Sequence, residues 1–88
     1  MPVGFDTLSL LTNPIVRRVF VMVVKSRSIR FEQLVKQVEA DVDRDRAKRT
    51  LQELIDAHLI NQKGSAVEDF ATYYVTADGL EASRKVGI

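Results

Sequence analysis

The sequence predicts an α+β domain of winged helix-turn-helix design, with a three-helix core, a β-hairpin wing and a C-terminal helix. Three observations predict it. Apolar residues recur at helical spacing in three successive stretches: Ile15, Val19, Met22 and Val23, then Phe31, Leu34, Val35 and Val38, then Ala47, Leu51, Leu54, Ile55 and His58. A short acidic link, residues 40–42, separates the second stretch from the third. Two β-rich runs, residues 59–63 and 71–76, follow around a loop. Amphipathic helices this short bury their stripes only against one another, and two closely linked helices followed by a hairpin make a helix-turn-helix with a wing. The 88 residues are expected to form a single domain spanning 1–88.

Residues 1–12 are apolar without a strong period, and Leu8, Leu11 and Phe5 suit a short helix set against the core or a second subunit. Asn13-Pro14 marks the next start, since Asn is a preferred N-cap and Pro is favoured at the first helical position. The following run VFVMVV is β-branched and has strand propensity. The cap and the helix-spaced residues before it outvote those six residues, so a helix is expected. KSRSIR, residues 25–30, is a polar break in which Ile29 makes a very short strand. The next helix starts near Phe31 and ends near Glu39 or Ala40.

The third helix begins at Asp43, whose carboxylate, with that of Asp45, sits where the helix dipole favours negative charge. Its apolar stripe packs inward. Its outer face carries Asp45, Arg46, Arg49, Gln52, Glu53 and Asp56, with Lys48 on the flank. A helix with a packed back and an Arg-rich first half suits the major groove of DNA, although an ordinary solvated face has the same pattern. Residues 64–70, GSAVEDF, form the loop between the two strands, and Thr76 can cap a last helix carrying Leu80, Ala82 or Ser83, and Val86.

Composition narrows the chemistry. Thirteen Lys plus Arg against twelve Asp plus Glu give a net charge of +1, which announces no polyanion partner by itself. The distribution is more telling: Arg17, Arg18, Lys25, Arg27 and Arg30 lie between Thr7 and Phe31 with no acid among them. No cysteine is present, which excludes disulfides, thiolate metal sites and cysteine nucleophiles. A single histidine, His58, leaves neither a histidine metal cluster nor a nucleophile-base pair. Asp41, Asp43 and Asp45 lack the Gly and terminal Glu of a calcium loop, and capping explains them better. No phosphate-binding glycine loop appears, so no enzyme, cofactor or metal is expected. The longest apolar run is too short to span a bilayer and the first residues lack a secretory-signal pattern, so a cytoplasmic protein with no membrane partner is expected.

Four segments in order resemble the winged helix-turn-helix transcription regulators of the arsenic-repressor and multiple-antibiotic-resistance-repressor type. LTNPIVRRVF resembles that family's opening, and FEQLVKQV resembles the helix before the turn. LQELIDAHLI resembles the end of the recognition helix, and YYVTADGLEA resembles the return strand and the Thr-x-x-Gly start of the last helix. The resemblance covers about Leu11 to Val86 and implies a DNA-binding regulator. The chain departs from it at three places: His58 stands where these families usually place Gly, Glu68 and Asp69 make the wing acidic with Lys63 as the nearby cation, and Glu39, Asp41 and Asp43 make the turn before the recognition helix acidic. No metal-ligand motif is present either, so metal sensing does not carry over. His tolerates left-handed backbone better than most residues.

The candidate DNA contacts are therefore Arg46, Lys48, Arg49 and Gln52 on the third helix, Arg27 and Arg30 around the start of the second, and Lys63 at the wing. Arg grips guanine bidentately and Gln grips adenine, while Lys48 suits phosphate. Arg17 and Arg18 read as structural or dimer-facing. One of Tyr73 and Tyr74 is expected to face the core and the other the surface. The expected function is sequence-specific binding of double-stranded DNA by a homodimer that regulates transcription. The rival, supported by the near-neutral charge and acidic wing, is a winged-helix module that binds a partner protein.

Overall fold

The computed structural model describes residues 5–64 and 71–88. Its elements are α1 (Phe5–Leu10), α2 (Pro14–Ser26), β1 (Ser28–Arg30), α3 (Phe31–Val38), α4 (Arg44–Asp56), β2 (Ile60–Gly64), β3 (Ala71–Val75) and α5 (Ala77–Lys85). The strands form one antiparallel sheet in the order β1-β3-β2, with the helices on one face. This is the α+β winged helix-turn-helix arrangement that the order of helices and strands predicts. The expected wing loop, with Glu68 and Asp69, lies outside the described residues. Among those described, no helix is long and apolar enough to cross a membrane.

The caps decide the helix starts. Asn13 Oδ1 accepts the backbone N–H groups of Ile15 at 2.9 Å and Val16 at 3.5 Å, and Pro14 occupies the first turn. The β-branched run therefore stays helical. Its buried face is Val16, Val19, Phe20 and Val23, a rotation from the predicted stripe. Ile15 and Met22 are half-buried and pack on a second cluster formed by Val38, Val42 and Ala47, Met22 also touching the main core. α2 thus packs on two sides, which a single-stripe reading does not anticipate.

α2 ends at Arg27, whose φ of 65° turns the chain into β1. In α3, Phe31, Leu34 and Val38 are buried. The backbone N–H groups of Asp41 and Val42 both donate to the Val38 carbonyl, at 2.9 and 2.8 Å, closing the turn that leads to α4. Arg18 Nε meets Asp41 Oδ2 at 2.7 Å across that turn.

α4 is capped by Asp43, whose Oδ1 accepts the Arg46 N–H at 2.8 Å. It buries Ala47, Thr50, Leu51 and Leu54, with Ile55 half-buried. His58 does not belong to the inward stripe. It is exposed, with φ 63°, because the helix has already ended. The Leu59 N–H reaches back to the Leu54 carbonyl at 3.0 Å and the His58 N–H to the Ile55 carbonyl at 2.9 Å. That pair of bonds is the Schellman closure, and the buried Leu54 and Leu59 supply its apolar contact.

Tyr73 faces the core, its ring centroid 6.4 Å from that of Phe31, while Tyr74 points to the opposite face of the sheet and is half-exposed. Thr76 caps α5 by accepting the Gly79 N–H at 3.0 Å. Gly79 is required there, since a Cβ would overlap the Leu59 carbonyl and lie 2.8 Å from Val75 Cγ2. α5 buries Gly79, Ala82 and Ser83, whereas Leu80 is half-buried and Val86 follows the helix. Leu11 packs against the core rather than a second subunit, 1% exposed.

Candidate nucleic-acid interface

Residues 44–50 of α4 hold four cations, Arg44, Arg46, Lys48 and Arg49, and one acid, Asp45. Residues 51–56 hold two acids, Glu53 and Asp56, and no cation. Asp43 and Asp45 at its N-terminus suit the helix dipole, whose effect is about 0.3–1 kcal/mol per charge and fades within the first turn, whereas Arg44 and Arg46 in that turn oppose it.

The four cations face different surroundings. Arg46, Arg49, Thr50 and Glu53, at helical spacing, line a groove against the beginning of α2, completed by Asn13, Ile15 and Val16. Arg46 and Arg49 are exposed and make no ion pair among the described residues. Lys48 is half-buried on the opposite flank. Arg44 also lies there, with Nη2 2.8 Å from Glu32 Oε1 and its guanidinium 4.9 Å from the Phe31 ring centre. It therefore locks the start of α4 to the start of α3. Gln52 is exposed and its Nε2 donates to Asp56 Oδ1 at 3.0 Å.

The remaining sequence candidates sit on the sheet. Register pairs Arg30 with Thr72 and Thr72 with Lys63, so these three form one row across the face turned away from the helices. Arg30 precedes α3 without capping it by its side chain. Arg27 lies at the other end of β1, at the close of α2, where its carbonyl accepts the Val75 N–H at 3.2 Å. The structure thus brings Arg46, Lys48, Arg49 and Gln52 together on one helix and leaves Arg27, Arg30 and Lys63 apart from them. Arg17 is structural, its Nη2 donating to the Val86 carbonyl at 3.0 Å.

Two residues with clear roles escape sequence reasoning. Arg44 is not legible from the sequence, because its partner Glu32 lies twelve positions away, beyond any helical spacing. Thr50, not assigned to the buried stripe from the sequence, is 4% exposed. Its spacing from Ala47 and Leu54 was the available signal. Among the described residues, no group of three His, Cys, Asp or Glu is placed to hold a metal ion.

Solved structures share this architecture. The chain superimposes on the reduced form of the transcriptional regulator YodB from B. subtilis with a TM-score of 0.78 at 13% identity, covering 93% of this chain and 79% of that one. It superimposes on a transcriptional regulator homologue protein from Pyrococcus horikoshii OT3 with a TM-score of 0.73 at 17% identity, covering 90% and 79%. At these identities the likeness shows the fold. No family model and no curated protein sequence matches the chain.

Proposed function

We propose that this protein is a transcriptional regulator that binds double-stranded DNA sequence-specifically, placing the first half of α4 in the major groove. One observation carries the reading: Arg46 and Arg49 stand exposed on one flank of the first half of α4, with Arg44 and Lys48 on the other. Arg46 and Arg49 lack ion-pair partners among the described residues, so gripping a base or phosphate breaks no existing pair. Gln52 adds a reader of adenine, and Lys48 a phosphate contact. Glu53 and Asp56 repel the DNA backbone and confine contact to the first half of the helix.

The active species is a homodimer, its two α4 helices entering successive major grooves of a two-fold site. Its interface is formed by α1 and α5, where Leu8, Leu80 and Val86 remain half-exposed. The fold neighbours, both described as transcriptional regulators, support the class of function. The acidic second half of α4 favours a second reading, a winged-helix module that binds a basic partner protein.

Selection from a randomised duplex library, followed by anisotropy titration of the winning sequence, separates the two. Enrichment of a site that binds the wild type and not an Arg46→Gln/Arg49→Gln variant supports DNA. No enrichment and no duplex binding at low salt discards it in favour of the protein partner.

A further inference from the structure

The face of the sheet turned away from the helices carries two cross-strand rows. Ser28, Tyr74 and Asn61 form one, and Arg30, Thr72 and Lys63 form the next. Tyr74 occupies the central strand, between Ser28 and Asn61, and is half-exposed. Beside it, Asn61 Oδ1 accepts the N–H of Gln62 at 2.8 Å. Among the described residues, no other ring contacts Tyr74 and no ion pair engages Arg30 or Lys63. A shallow depression lined by Ser28, Lys63, Gly64, Thr72 and Tyr74 runs over this surface. The two rows together hold two cations and no acid.

Strand spacing sets the scale. Adjacent strands lie about 4.8 Å apart, so Arg30 and Lys63 start roughly 10 Å from one another. Successive outward residues of β3 are about 7 Å apart along the strand, which puts Tyr74 one step from the line joining the two cations. Flanking cations suit the phosphates of a nucleic-acid backbone, and a half-exposed aromatic ring suits the face of a base. A duplex hides that face inside its stack and offers base edges in its grooves. The partner must therefore have unpaired bases.

We infer that this sheet face is a second binding surface, taking single-stranded nucleic acid by stacking a base on Tyr74 between phosphates held by Arg30 and Lys63. The surface is independent of the duplex reading of α4, because it lies on the opposite side of the sheet from the helices. It gives the protein a hold on a strand exposed by local opening of DNA, or on RNA.

The test titrates the full chain with a fluorescently labelled oligothymidylate at low salt. The wild type binds, and contact with a base quenches tyrosine fluorescence. Tyr74→Leu weakens binding by roughly 5- to 150-fold, the range that loss of one stacked base implies. Tyr74→Phe keeps the affinity and loses the quench, since the buried Tyr73 remains unaffected. Arg30→Gln and Lys63→Gln each flatten the log-log salt slope by about 0.7. Circular dichroism checks that every variant stays folded, and the Phe variant keeps the test valid where the Leu variant does not. Arg46→Gln/Arg49→Gln loses duplex binding and keeps the oligothymidylate, which separates this surface from α4. The inference is overturned by absent oligothymidylate binding, by a folded Tyr74→Leu variant that binds like the wild type, or by loss of the oligothymidylate with the α4 variant alone.

Discussion

The Thr76 hydroxyl donates to the His58 carbonyl at 2.7 Å, also approaching the Leu59 carbonyl at 3.1 Å, and accepts the Gly79 N–H at 3.0 Å. One side chain thus caps α5 and holds the left-handed turn that ends α4. Thr76→Val keeps the shape and removes these bonds. It should cost about 1–2 kcal/mol, as the loss of a good N-cap does. In a domain of this size, that lowers the melting temperature by roughly 4–16 °C. Calorimetry showing no change would mean that the turn is held by packing alone.

His58 adopts φ 63° on the exposed side of that turn. A left-handed residue with a Cβ costs about 1–2 kcal/mol, and the extra chain entropy of Gly cancels about 0.5–1 kcal/mol of any relief. His58→Gly should therefore be at least as stable as the wild type. His58→Val, with a β-branched side chain in a region that excludes it, should be less stable by about 1–2 kcal/mol. Urea titrations of the pair check the sign, and equal midpoints would contradict the assigned backbone.

Leu54 is fully buried at the centre of α4 and closes the turn through Leu59. Leu54→Ala should cost about 2–5 kcal/mol, a large share of the stability expected for so small a domain. A melting shift of one or two degrees would show that α4 is packed more loosely than the structure implies.

Most of the fold was legible because its punctuation is local. Asn13, Asp43 and Thr76 each cap a helix within three residues, and the predicted order of helices and strands follows from those caps and the apolar spacing. What was illegible depends on distant partners. The two-sided burial of α2 follows from Val38, Val42 and Ala47 collecting beside it. Arg44 finds Glu32 and Phe31 through the turn between α3 and α4. Arg30 and Lys63 share a row through the pairing of β1 with β3, a strand more than forty residues further along the chain. The cationic start of α4 could be read from the sequence, but the flank to which each cation turns could not.

The proposed dimer makes its own prediction. Leu8, Leu80 and Val86 are half-exposed on the terminal segments, whereas Leu11 is buried in the core and offers no surface to a partner. Light scattering at tens of micromolar, a concentration that reveals even weak association, should report twice the chain mass. Leu80→Glu should return it to the monomer without unfolding it. A wild-type monomer would remove the dimer and leave a single half-site to be recognised.

The salt dependence of duplex binding tests the function most directly. If Arg44, Arg46, Lys48 and Arg49 each displace a counterion, one half-site should give a log-log slope of about −3 to −4, and a dimer about twice that. The four should not contribute alike. Arg44 is already engaged by Glu32, and Lys48 is half-buried, whereas Arg46 and Arg49 stand exposed beside the groove. Arg49→Ala should therefore erode discrimination between sequences by roughly 1–3 kcal/mol, as the loss of a bidentate base contact does. Lys48→Ala should weaken all duplexes alike and flatten the slope by about one unit. Should Arg49→Ala also weaken every duplex equally, Arg49 holds a phosphate, and Gln52 becomes the residue that reads the base.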